Sequence, residues 1–166
     1  MAIPMAYVLP SVYDDDFSPL QWARHLTRVL GREFIFLEFP FPRGIYGARL
    51  IVTAPSATEY VFVASSIHPL LQGHVRLHEL AHAACGHPTL TLAGLDDDAI
   101  ACAMREPAVL CQRAMQPGIQ THLELEAEEL TRFIQQQTIG AQHARAAARI
   151  SARAPIRMTV QHLGIE

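Results

Sequence analysis

The sequence predicts an α+β fold: a helix, a small and mostly antiparallel sheet, a histidine-bearing helix packed on it, and a mostly helical C-terminal half. Three observations carry this. Of the 166 residues 50% are hydrophobic and 17% charged, the balance of a chain that buries a core. Three short runs rich in aromatic and β-branched residues lie between positions 33 and 65, parted by Gly and Pro. Beyond them, apolar residues recur at helical spacing. At this length residues 1–166 read as one domain, with 1–16 a lead-in and 153–166 a tail.

The lead-in ends in Asp14, Asp15 and Asp16, a solvated acidic run. A helix then starts with Ser18 as N-cap, Pro19 at its first position and Gln21 as capping-box partner. Leu20, Ala23, Leu26, Val29 and Leu30 form its stripe, and Gly31 stops it. Strands are expected at 33–38 (EFIFLE), 48–54 (ARLIVTA) and 59–65 (EYVFVAS), the last two as a hairpin. Residues 88–120 form a connector holding a helix at 96–105. A longer helix from about 121 to 137 has the stripe Leu123, Ala127, Leu130 and Ile134 and ends at Gly140. An Ala- and Arg-rich helix at 141–152 follows, its arginines a solvated face.

The chemistry concentrates on the helix from Pro69 to Cys85, which carries His78-Glu79-Leu80-Ala81-His82. Residues four apart on a helix point the same way from adjacent turns, so His78 and His82 can grip one zinc ion. Glu79 points elsewhere and suits the general base. Gly86 ends the helix and directs His87 away, and Cys85 reads as a small core residue. A third ligand is expected from the 121–137 helix. Glu126 lies beside its apolar stripe, whereas Glu124, Glu128 and Glu129 read as a solvated face. Glu124 and Glu126, roughly 160° apart around the axis, cannot serve the same ion.

The segments VRLHELAHAACGH (75–87) and ELEAEEL (124–130), with Gln72, His74 and LAGLDDDAI (92–100), resemble small actinobacterial members of the ImmA/IrrE family of zinc metallopeptidases. The likeness spans about residues 17–138. Thr131 departs from it, standing where the family has Ala, and the stretch 107–120 is longer than the usual link. The resemblance implies a zincin-like domain with one Zn2+ per chain on His78, His82 and Glu126, Glu79 as catalytic acid/base, and proteolysis of a helix-turn-helix repressor or similar regulatory protein. His74 is the further catalytic candidate on the metal helix. His74, Tyr60 and Tyr46 are alternative candidates for steadying an oxyanion. The strand at 59–65, expected beside the metal helix, would take an extended peptide by edge addition, giving Tyr60, Val61 and Val63 as substrate contacts. Two other readings use the same residues. One is a zincin scaffold recruited to small-molecule biosynthetic chemistry, the other a regulator that binds its repressor and keeps zinc for structure.

A net charge of -3 offers no basic footprint for nucleic acid. No apolar run reaches the length of a membrane span, and the N-terminus lacks the pattern of a signal peptide. Cys85, Cys102 and Cys111 are odd in number and widely spaced, which reads as reduced thiols in a cytoplasmic protein.

Overall fold

The computed structural model describes residues 17–53, 56–92, 105 and 121–153. The lead-in at 1–16, the tail beyond 153 and the expected helix at 96–105, apart from Arg105, lie outside them.

Helix α1 (Pro19–Leu30) begins as its sequence dictates, with the backbone N–H of Gln21 donating to Ser18 Oγ over 3.3 Å. Gly31 ends it in the left-handed region at φ 69°, where only glycine sits without cost, and donates its N–H to the Thr27 carbonyl. Trp22, Ala23 and Leu26 are its buried face.

Strands β1 (Glu33–Phe39), β2 (Gly47–Val52) and β3 (Thr58–Ala64) come next. After them run helix α2 (Pro69–Ala84), the short strand β4 (Leu90–Leu92) and helix α3 (Thr121–Arg153). The sheet order is β1-β3-β2-β4. As expected, β2 and β3 form an antiparallel pair, with Gly47 opposite Val63 and Val52 opposite Thr58. The expectation of a mostly antiparallel sheet is corrected. Strand β1 pairs with β3 in parallel, from Glu33 opposite Thr58 to Phe39 opposite Ala64, and β4 pairs in parallel with β2. The sheet is therefore mixed. The link at 40–46, which turns through Gly44 at φ 91°, leaves a strand-wide gap between β1 and β2 that β3 fills from its hairpin.

This order also corrects the expected peptide edge. With β1 on one side and β2 on the other, β3 has no free edge for an added strand. Alternation along β3 turns Val61 and Val63 toward the helices, where both are fully buried with Phe34, Trp22, Leu77 and Leu80. Tyr60 points the other way and packs against the far-face cluster of Phe39, Phe41, Leu50, Val52, Phe62 and Ala64.

Helix α3 passes through Gly140 without a break and absorbs the separate helix expected at 141–152. One interior glycine costs about 1 kcal/mol, too little to end a helix flanked by Gln, Ala and Arg. Ala127 and Ile134 are fully buried in the cluster that holds Leu77, Leu80 and Ala81 of α2. Among the described residues no helix is long and apolar enough to cross a membrane.

Candidate metal centre

The seam between α2 and α3 places His78 and His82 against a carboxylate. Their Nε2 atoms lie 3.1 Å apart, and Oε2 of Glu124 lies 3.1 Å from His78 Nε2 and 3.3 Å from His82 Nε2. The three donor atoms form a nearly equilateral triangle. Hydrogen bonds alone cannot satisfy its three edges, because a neutral imidazole brings one N–H and each Nε2 faces two neighbours. A cation can, and the group could hold a metal ion.

The carboxylate in this triangle is Glu124, which stays 53% exposed as its place on the solvated face implied, and not Glu126, which the sequence placed there. Taking the buried line through Ala127, Thr131 and Ile134 as the reference, Glu124 lies roughly 60° to one side and Glu126 roughly 100° to the other. The α2 histidines occupy Glu124's flank. Glu128 and Gln135 share it, with Glu128 Oε2 3.4 Å from His78 Nδ1 and 3.5 Å from His74 Nε2, and Gln135 Nε2 3.2 Å from His74 Nδ1. His74 is thus linked to the triangle through Glu128. It stacks on His78 with ring centroids 6.4 Å apart, outside the donor set.

Glu126 instead meets His87, with Oε2 3.2 Å from His87 Nε2. His87 was expected to point away, and this too is corrected. After the turn at Gly86 (φ 71°) the chain folds back, the His87 N–H donates to the His82 carbonyl, and the ring is buried with Nδ1 2.9 Å from His82 Nδ1. Cys85 completes a second group with His87 and Glu126 whose donor atoms lie within 4.8 Å of one another. Burial, with the Glu126 carboxylate adding to it, pushes the Cys85 thiol up to about 11.

Glu79 faces the sheet. A Cβ on Gly47 would fall on its Oε1 and come within 2.8 Å of Val75 Cγ1, so β2 meets α2 at a residue without a side chain. Arg49 Nε lies 3.6 Å from Glu79 Oε2, while Arg49 Nη1 binds the fully buried Glu59 at 2.8 Å and Nη2 donates to the His87 carbonyl at 3.3 Å. Arg32 pairs with the other oxygen of Glu59 at 2.7 Å. Burial raises the Glu79 carboxyl to about 7, against the pull of Arg49 and His78 in the other direction.

The histidines divide. Burial acts to lower both. At His78 it is outweighed by the hydrogen bond to Glu124 and the charges of Glu79, Glu124 and Glu128, and the net shift is upward. At His82 burial prevails, aided by Arg49 and His78. Hydrogen bonds from both rings hold Glu124 well below the usual carboxylate range.

Arg49 and Glu59 went unnoticed in the sequence because each lies on a strand with no motif around it, and Gly47 counted only as a turn glycine ahead of the second strand. The available signal was a charged residue on the helix-facing side of both β2 and β3, an alternation that a core strand breaks only for a partner. Tyr46 is more than half exposed, and Tyr60 lies on the sheet face opposite Val61 and Val63, which pack among the α2 residues. Compared with models of known families, with curated proteins and with solved structures, the chain has no match.

Proposed function

We propose that the protein is a zinc-dependent metallo-endopeptidase with a zincin-like centre on His78, His82 and Glu124, and Glu79 as general base. The observation that carries this is the donor triangle of 3.1, 3.1 and 3.3 Å. Ligands about 2.1 Å from a tetrahedral zinc lie about 3.4 Å from one another, so the triangle has the size of one face of that tetrahedron. Two imidazoles and a carboxylate are also the donor set of zinc hydrolases that keep a fourth position open. A zinc ion bound there supplies Lewis acidity toward a scissile carbonyl and lowers the pKa of water toward neutrality.

The remaining work belongs to the chain itself. Glu79 follows a ligand directly in sequence and is held near Arg49, a carboxylate placed to take a proton and return it. His74, tied to Glu128 and one turn from His78, is the adjacent group that can meet substrate at the margin. The resemblance of residues 75–87 and 124–130 to ImmA/IrrE metallopeptidases supports a protein substrate, and within that family's pattern a helix-turn-helix repressor is the proposed target. A peptide partner would have to meet the sheet at an edge other than β3.

The test joins metal analysis to cleavage. The purified chain should hold about one zinc. Glu124→Ala should lose most of it and Glu126→Ala much less. Glu79→Gln should keep the zinc but stop cleavage of a repressor encoded beside the protein. Full derepression by Glu79→Gln would favour a binding regulator instead, and Glu124→Ala with undiminished zinc would dismantle the ligand set.

A further inference from the structure

Behind His82 lie two polar groups in series that the donor triangle leaves unexplained. His82 Nδ1 is 2.9 Å from His87 Nδ1, and His87 Nε2 is 3.2 Å from Glu126 Oε2. Only one proton fits between two Nδ1 atoms at that separation. If His82 Nε2 gives its lone pair to a metal, the neutral ring must carry its proton on Nδ1. That proton is then donated to His87 Nδ1, which leaves the His87 proton on Nε2, facing Glu126.

We propose that His87 and Glu126 are positioning residues of the metal centre, a two-residue relay that fixes His82 in the tautomer that ligates. The proposal rests on the zinc centre above. Carboxylate and carbonyl groups behind metal-binding histidines set ring orientation and basicity, and losing them costs about 10- to 100-fold in metal affinity. Here a buried histidine stands between ligand and carboxylate, and the Gly86 turn delivers it. The same proton count weighs against a second ion on Cys85, His87 and Glu126. With His82 bound to the first ion, a metal on His87 Nε2 would require one of the two rings to become an imidazolate. Behind the other ligand Glu128 lies 3.4 Å from His78 Nδ1 as an ion-pair contact, without the geometry of a hydrogen bond.

Zinc affinity measured by chelator competition on the full chain tests this, with melting of each zinc-loaded variant as the control for folding. His87→Leu should bind zinc about 10- to 100-fold more weakly. His87→Asn, whose Oδ1 can take the Nδ1 acceptor position, should recover to within about threefold of the parent. Glu126→Leu alters a residue more than half exposed, so it tests the relay even if His87→Leu does not fold. It should weaken zinc in the same direction by less. Cys85→Ser should leave the affinity unchanged, and titration with Co2+ should give no thiolate charge-transfer band. Parental affinity in both His87→Leu and Glu126→Leu would overturn the relay while leaving the zinc centre standing. A thiolate band on a second equivalent of Co2+, lost in Cys85→Ser, would make the three residues ligands of their own ion and also overturn it. A parent chain that binds no zinc would remove the centre itself.

Discussion

Glu79 is a carboxylate kept only 13% exposed between α2 and β2, and that burial has a cost that depends on pH. Its carboxyl rises from 4.5 to about 7 in the folded chain, so the folded state holds the proton more tightly than the unfolded one. The stability tied to that proton is complete below about pH 4.5 and is lost as pH climbs through about 7. In metal-free protein Glu79→Gln should therefore be the more stable form at pH 8, by on the order of 3 kcal/mol, with the advantage gone near pH 4. Paired thermal melts in chelator at the two pH values check this, and an equal difference at both would refute it. Arg49 works in the opposite sense. Its side chain is 4% exposed and meets Glu59, Glu79 and the His87 carbonyl, so Arg49→Leu strands charge in the core and should cost about 3–5 kcal/mol in a denaturation experiment.

The helices carry their instructions in local chemistry, and these were readable. Ser18, Pro19 and Gly31 mark α1 at both ends, and Pro69 and Gly86 bracket the histidine helix. Gly140 misled because a glycine in a helix reads like a stop, whereas its φ here is not positive and a Cβ would meet open space. Gly140→Ala should accordingly raise stability by about 0.5–1 kcal/mol, visible as a higher denaturation midpoint. The sheet was legible as strands and less so as pairings. The β2–β3 hairpin follows from a short link, but the insertion of β3 between β1 and β2 depends on tertiary packing that no window of sequence contains. The carboxylate that meets the two histidines was misplaced for a related reason. An apolar stripe has two flanks, Glu124 stands on one and Glu126 on the other, and the stripe does not say which side α2 will take. Glu124, Glu128 and Gln135 falling on one flank was the sequence signal that favoured Glu124.

Taken as a whole, the molecule joins α2 and α3 by apolar packing and by the donor triangle at their seam. An ion in that triangle would cross-link two helices far apart in the sequence, Pro69–Ala84 and Thr121–Arg153, and its binding energy would add to folding. Chelation should lower the melting temperature and speed amide exchange over residues 121–130 more than over 131–138, because Thr131 and Ile134 hold the later turns to the core unaided. Uniform exchange with and without chelator would show that the seam needs no ion.

Gly47 is the place where the sheet yields room to the chemistry. Glu79, the proposed base, has its position because β2 carries no side chain at Gly47, so the strand acts there as a socket sized to one carboxylate. A methyl group there would evict Glu79 without touching a ligand, and Gly47→Ala should keep zinc while losing turnover. Shortening the base by one methylene in Gly47→Ala/Glu79→Asp should return part of that activity. A search for inactive variants would thus recover a residue that performs no chemistry, and its suppressors would map the depth of the socket.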